Sequence, residues 1–447
     1  MRLHSVMEDR SNEVPSSAGG AETRRLMLLT TTAGYQTRAF VEAAEKLKLA
    51  VVFGTDRCHV LDDPWQDGAI ALKFENPEES AAKVVEHARS RPVHAIVALG
   101  DCTPPTAARA AAALELPYHP PETSDICRDK YRSRKHLADC GLRVPRFARF
   151  PIDADPANIL KQKTPAIRFP CVLKPLTLSA SRGVIRADTA QEFMSAFKRI
   201  RSLLRSPDVR VTRQKTINFL QVEEYIEGTE IAVEGVVERG RLKVLAIFDK
   251  PDPLVGPYFE ESIYVTPSRL AVGTQAAAVE TLRRAVKALG LYHGPLHAEL
   301  RIGNGGPWIL EVAARCIGGL CSRALRFRMP CKDKEISLEE LIIRLALGED
   351  IGEIQQEDAA SGVMMIPVPG AGILQRVEGT DDARAVPGIE EIIITARPGE
   401  KLVPLPEGSS SPGFIFARGP SPEFVEQALR SAHQKLRFAL SAALPVI

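Results

Sequence analysis

The segment GPLHAELRIGNGGPWILEV, residues 294–312, constrains the chain more than any other. HAELRI alternates strictly, so His297, Glu299 and Arg301 share one face of a strand and Ala298, Leu300 and Ile302 the other. GNGG is a strong hairpin signal, and WILEV is the returning strand. With the turn centred near Gly305, Glu299 and Glu311 stand opposite each other. Two carboxylates facing across a ladder repel. A divalent cation between them makes the arrangement favourable, and hard oxygen ligands suit Mg²⁺. In any other register both glutamates are merely exposed.

With 447 residues the chain exceeds one core, and its length suggests about three domains. From Leu26 strands and helices alternate: LMLLTTT, AFVEAAEKLKL, AVVFGTD, IALKF, PEESAAKVVEHARS and HAIVALGD, up to Asp101. Such alternation implies a parallel sheet covered by helices. The first turn, TTTAGYQT, lacks the GxGxxG fingerprint, so Asp56 at the end of the second strand reads as a loop residue rather than a ribose ligand. After YHPPETSD and the basic helix DKYRSRKHLADCGL, short strands and hairpins take over. They are interrupted by TAQEFMSAFKRIRSLL, a helix capped by Thr189 and Glu192, with Phe193, Phe197, Ile200 and Leu204 on one face. Arg201, Arg205, Arg210 and Arg213 read as a solvated basic surface. The acidic stretch from about Leu347 to Ala360 reads as a linker. Beyond it SGVMMIPVPGAGILQRVEG, IEEIIITARPGEKL and GFIFARG look like strands, and PEFVEQALRSAHQKLRFAL like a terminal amphipathic helix.

The balance of 58 basic and 56 acidic residues argues against nucleic acid as a main partner. Eight scattered cysteines without CxxC point to reduced thiols and a cytoplasmic setting, and the Cys316–Cys321 spacing matches no metal template. Residues 1–24 have no apolar signal core and read as a disordered tail. No apolar run approaches the ~20 residues needed to span a membrane. A homodimer is the default expectation for assembly.

Three further stretches carry candidate chemistry. FPCVLKPLTLSASRGV ends a buried-looking strand in Lys174 and continues into a small, hydroxylated loop. EVAARCIGGL places Arg315 four residues after Glu311, before a glycine pair, where its planar fork can clamp a carboxylate or phosphate or make a structural ion pair. In FLQVEEYIEGTEIAVEGVV, Glu230 and Glu234 alternate with Ile231 and Val233, which taken alone reads as a half-exposed strand. DKPDPLVGPYFEESIYVTPSRL, residues 249–270, borders a substrate site in this reading, and Glu260 or Glu261 either neutralises a substrate ammonium or is a solvated loop acid.

In this order, from about Ile126 to Leu347, these motifs resemble the ATP-grasp superfamily, and EVAAR with the terminal region is similar to the L-amino acid ligases. The resemblance implies a mixed α/β and α+β fold: a Rossmann-like domain over 25–122, an ATP-grasp domain over 123–347 with a lid at about 165–228, and a small α+β ligase domain over 358–447. It implies ATP and Mg²⁺ or Mn²⁺ as cofactors. Lys130 of DKYRSRKHL and Lys174 of VLKP then reach the phosphates, under a lid that includes Ser181 and Gly183. Glu223, Glu224, Tyr225 and Ile226 line the adenine, and Glu230 holds the ribose. Glu299 and Glu311 hold the metal. Arg315 is the catalytic candidate, holding the acceptor carboxylate or developing oxyanion, and Arg315, His297 and Glu260 or Glu261 are the substrate-binding candidates. The implied activity is an ATP-dependent carboxylate–amine ligase forming an acyl phosphate, with small carboxylate and amine substrates, most naturally amino acids. A biotin-carboxylase-like or purine-pathway enzyme using bicarbonate or formate is the alternative within the fold, and a non-catalytic ATP-binding regulator the alternative outside catalysis. Two departures stand out: Ala313 where many members have a metal-ligating asparagine, and Ala180 where a glycine would give the loop more freedom.

Overall fold

The computed structural model describes residues 24–31, 36–56, 68–162, 164, 167–329 and 334–442. All but the last residue of the expected tail, and the centre of the TTTAGYQT turn, lie outside the described residues. The first sheet is parallel, in the order Ala69–Ala71, Ala50–Thr55, Arg25–Thr30, Ala95–Ala98. Leu26 and Leu28 pack on Phe40 of helix Thr37–Lys46, whereas Met27 and Leu29 pack with Val84 of helix Pro77–Ser90 and Ala107 of helix Pro104–Ala113. Both faces are covered, so the strand must be apolar at every position, which is why the sequence reads LMLL. The boundary expected after residue 122 falls inside helix Pro121–Arg128, and the change of architecture comes in the irregular stretch 114–120 before it. There buried His119 fastens the two parts, accepting from the Tyr292 N–H at Nδ1 (3.1 Å) and donating from Nε2 to the Pro295 carbonyl (3.0 Å).

The lid is an antiparallel sheet in the order Phe147–Pro151, Phe219–Glu224, Cys171–Pro175, Ile185–Ala187, so its edge strand begins well before residue 165. Helix Ala190–Leu204 is capped by the Thr189 hydroxyl and buries Phe193, Phe197, Ile200 and Leu204 on this sheet. Arg201 is not simply solvated: it donates to the Ile152 and Ala154 carbonyls at 2.5 and 2.6 Å.

The large sheet has eight antiparallel strands: Gly306–Ala313, Gly294–Gly303, Thr229–Glu238, Arg241–Asp249, Ile263–Thr266, Ala360–Met365, Gly413–Gly419 and Ile389–Ile394. The carboxyl-terminal part therefore continues the central sheet, and Ile263 and Val265 share a core with Ala360, Ile415 and Val425. The stretch expected as a linker contributes Gln355–Gln356 to a small sheet with Arg326–Met329. The terminal helix stops at His433, earlier than its sequence suggests, and Arg437–Ser441 is a strand paired with Gly372–Glu378. Beyond His433 the apolar spacing shortens to two (Leu436, Phe438, Leu440), which suits a ladder and not the face formed by Val425, Leu429 and Ala432. Among the described residues no helix is long and apolar enough to cross a membrane, and the six described cysteines are free thiols.

Candidate active site

A cavity of about 550 Å³ opens between the lid, the large sheet and the loops of the first domain. Strand alternation decides what faces it. In Cys171–Pro175, Cys171 and Leu173 go to the helix-covered core, so Val172 and Lys174 face the cavity. In Phe219–Glu224, Leu220 and Val222 are buried on the same core, and Glu223 faces Lys174. The Lys174 Nζ lies 2.5 Å from the Glu223 carboxylate, which also takes the Arg134 Nε (2.7 Å). Burial pushes the Lys174 pKa down despite Glu223. Burial would raise Glu223, but Arg134 and Lys174 outweigh it and hold the carboxyl down to about 2.

Glu299 stands opposite Glu311 as expected, although the turn closes Gly303 on Gly306 and is centred between Asn304 and Gly305. Leu296, Ala298 and Leu300 pack against helix Val272–Leu289, leaving His297, Glu299 and Arg301 to line the cavity. Between Glu299 and Leu300 the ladder slips, and Leu310 is the extra residue, so Leu310 and Glu311 both reach the cavity. Arg134 completes the bulge by donating to the Ile309 and Leu310 carbonyls at 2.8 and 2.6 Å. Lys130, one turn before Arg134 in helix Lys130–Asp139, pairs with Glu311 at 3.1 Å and donates to the Leu178 carbonyl at 3.1 Å.

At the other end Lys250 sits among three carboxylates, 2.8 Å from Glu230 and 3.0 Å from both Glu261 and Glu299. Burial alone would lower the pKa of this lysine, but the three acids raise it well above the usual value. Burial and the neighbouring Glu299 push Glu261 up to about 7, while its second oxygen accepts from the Tyr264 hydroxyl at 2.7 Å. Glu299 itself is held well below the usual range, because Lys250 and His297 overcome its burial. His297 bonds Glu234 at 3.0 Å through Nδ1, and its Nε2 lies 3.9 Å from Glu299. Its burial is outweighed by these acids, which push it up to about 9. Glu230 and Glu234 are thus buried in a central strand, not exposed on its surface.

Around the 223–226 segment, the Glu224 carboxylate turns to Arg146 (2.9 Å to its N–H and 2.7 Å to its Nε), while the Tyr225 ring carries the Arg186 guanidinium 4.2 Å above it. Arg301 donates to the Ile226 carbonyl (2.9 Å) and to Glu230 (2.7 Å). Glu224, Tyr225, Ile226 and Glu230 all line the cavity.

The loop after Lys174 crosses the mouth. Ser181 lines the cavity, and Ala180 and Ser181 take left-handed backbone angles (φ 51° and 54°). Gly183 does not reach the lining; its N–H bonds the Pro406 carbonyl at 2.8 Å, and a Cβ there would come within 2.7 Å of Pro175. Arg182 donates to the Glu407 carbonyl at 2.7 Å, so the loop is strapped to the carboxyl-terminal part. Of the two loop acids, Glu261 lines the cavity and exposed Glu260 does not. Arg315 lines it too, with Nε on Asp101 and Nη1 on the Cys316 carbonyl (2.8 Å).

Lys250, Arg134, Arg301 and Asp101 were not singled out from the sequence as site residues. Lys250 carried the signal that marked Lys174, a lysine closing an apolar strand before a proline (FDKP and VLKP). Arg134 lies four residues after Lys130 on one helix face. Asp101 had no local signal.

An ATP-grasp domain model matches residues 167–324, an ATP-grasp N-terminal domain model 41–118, and an L-amino acid ligase C-terminal domain 2 model 364–441. The chain thus carries ATP-grasp domains and an L-amino acid ligase C-terminal domain. It is similar to the crystal structure of an L-amino acid ligase from Bacillus licheniformis, with a TM-score of 0.77 and 27% identity over 94% of this chain and all of that one. It is 27% identical over 299 residues to the alanine–anticapsin ligase of Bacillus subtilis, covering 63% of this chain and 62% of that protein. Over 436 residues it is 23% identical to the uncharacterized protein y4rH of Sinorhizobium fredii, covering 95% of this chain and 85% of that one.

Proposed function

We propose that the protein is an ATP-dependent carboxylate–amine ligase of L-amino acid ligase type, joining amino acids through an acyl phosphate. The observation that carries this reading is the convergence of Lys130, Lys174, Glu299, Glu311 and Arg315, from separate segments, on one cavity. The likeness to an L-amino acid ligase over 94% of the chain supports it, as does the matching C-terminal domain.

Amide formation from a carboxylate is uphill in water, because its oxygen is a poor leaving group. In the proposed reaction a carboxylate oxygen attacks the γ-phosphorus and ADP leaves. The amine then attacks the acyl carbon and loses a proton, and phosphate leaves with the oxygen that belonged to the carboxylate. Lys130 and Lys174 neutralise charge on the transferred group, which is chiefly electrostatic catalysis. Glu299 and Glu311, opposite each other in the ladder and both lining the cavity, would offer carboxylate oxygens to Mg²⁺ or Mn²⁺, and such an ion would supply further charge neutralisation at the phosphates. The strapped loop excludes water from the acyl phosphate. Glu261 faces the substrate ammonium, and Arg315 holds a carboxylate oxygen or the developing oxyanion.

Ala313 offers no oxygen beside Glu311, and it favours one competing reading, a nucleotide-binding regulator without turnover. Incubation with ATP, Mg²⁺ and pooled amino acids separates the possibilities. Amino-acid-dependent phosphate release with a new dipeptide mass is expected. Release dependent on bicarbonate or formate alone would move the assignment to the other enzymes of the fold, and ATP binding without turnover on any carboxylate would favour the regulator.

A further inference from the structure

Arg315 stands two residues beyond the end of strand Gly306–Ala313, before Gly318 and Gly319, where no ladder fixes the backbone. Other groups hold that turn. The Gln36 amide donates to the Ile317 carbonyl, and the Ile317 N–H bonds the buried Glu234 carboxylate at 3.0 Å. The guanidinium has a separate restraint. Its Nε donates to Asp101, which follows strand Ala95–Ala98 at the carboxyl end of the parallel sheet, the edge where such sheets place ligand contacts. Nη1 donates to the Cys316 carbonyl at 2.8 Å, leaving Nη2 as the one nitrogen without a protein acceptor among the described residues. A guanidinium is planar, so pinning two of its nitrogens fixes where the third points. Asp101 lines the cavity beside Ser179 of the lid loop and Lys130. One carboxylate of the first domain therefore lies next to the lid and the phosphate lysine while it holds the arginine.

We propose that Asp101 is a positioning residue for Arg315, through which the first domain sets the direction in which the guanidinium meets a substrate oxygen. This rests on the ligase reading. Asp101 touches neither the 223–226 segment nor Lys174, and Lys130 keeps its pairing with Glu311, so the larger effect falls on the amino acid substrates rather than on nucleotide affinity. Because Gln36 and Glu234 keep the turn in place, removing the carboxylate frees the guanidinium without releasing the backbone.

The test uses the full-length chain and its Asp101→Ala, Asp101→Asn and Arg315→Lys variants. Steady-state phosphate release is measured with ATP, Mg²⁺ and a productive amino acid pair. Asp101→Ala is expected to raise KM for one amino acid roughly ten- to hundredfold, the scale of an ångström-level misplacement, with KM for ATP within about twofold. Asp101→Asn keeps one acceptor oxygen and falls between, and Asp101→Ala adds little on top of Arg315→Lys. Unchanged amino acid KM, an equal rise in the KM for ATP, or multiplicative effects in the double variant would each overturn the proposal. A second readout is independent of turnover: the ¹⁵N-arginine Nε–H resonance of Arg315, identified by its loss in Arg315→Lys. A shift and faster exchange of this signal in Asp101→Ala, with Tm retained, supports the clamp, and an unaltered signal overturns it. A wild-type chain inactive on every amino acid pair would sink the ligase reading, while this resonance still decides the clamp.

Discussion

Lys174 and Lys250 each close an apolar strand just before a proline, yet they end in opposite electrostatic settings. Lys174 has one carboxylate partner, Glu223, shared with Arg134, and Lys130 pairs with Glu311 nearby. That end of the cavity holds one more cation than carboxylate. Lys250 and Arg301 instead face Glu230, Glu261 and Glu299, so that end holds one more carboxylate than cation. The two lysine pKa values shift in opposite directions accordingly, down at Lys174 and up at Lys250. The cavity is polarised, with one end suited to a polyanion such as a triphosphate and the other to a metal ion or an ammonium group.

The strongest test of the polarity is Glu311→Gln, which removes a carboxylate from the hairpin that faces both ends. Turnover should fall by roughly a thousandfold or more, measured as phosphate release; unchanged activity would remove the metal assignment. Next come the lysines themselves. Lys250→Met removes the cation shared by three acids, leaving Glu230 with Arg301, Glu261 with the Tyr264 hydroxyl and Glu299 with the more distant His297. It should cost about 3–5 kcal/mol in denaturant unfolding. Lys174→Met leaves Glu223 with Arg134 and Gln221, so the cost should be nearer ~1–3 kcal/mol, with the larger change in ATP affinity. The reverse order would break the comparison.

Acidification should separate the ends as well. Glu261 titrates at about 7 when folded, above the ordinary glutamate value of 4.5, so it binds its proton more tightly in the folded state. Its contribution to stability therefore grows as pH falls from about 7 toward about 4.5. Glu223, held to about 2, contributes stability above its ordinary value of 4.5 and loses it below. In Tm measured against pH, Glu261→Gln should remove part of the first change and Glu223→Gln part of the second; interchanged effects would contradict the assignment. The smallest expected effect is at Ala180, whose φ of 51° suits glycine. Ala180→Gly should relieve about 1 kcal/mol of backbone strain, seen as an unchanged or higher Tm, and a clear loss of stability would show that the methyl group packs.

Period-two alternation and the GNGG turn were enough to locate the hairpin, because they depend only on neighbours in sequence. The same holds for the capped helix Ala190–Leu204 and the unbroken LMLL strand. The hairpin's turn, however, closes Gly303 on Gly306, and Glu299 meets Glu311 only through the bulge at Leu310. Other features depend on partners far along the chain. Glu230 and Glu234 read as surface residues until strands Arg241–Asp249 and Gly294–Gly303 flank theirs on both sides. Asp101 gains its role from Arg315, more than two hundred residues away. The carboxyl-terminal strands read as a separate unit because nothing local shows that Ala360–Met365 pairs with Ile263–Thr266. The two Lys-Pro strand ends show the limit most sharply: the letters are alike, and only the number of acids folded around each distinguishes them.

In the proposed reaction this polarised cavity activates a carboxylate by phosphorylating it. Amino acid labelled with ¹⁸O in its carboxylate, turned over with ATP and Mg²⁺, tests that most directly by mass spectrometry of the released phosphate. One ¹⁸O atom per phosphate is the predicted result. Turnover that releases unlabelled phosphate would contradict it.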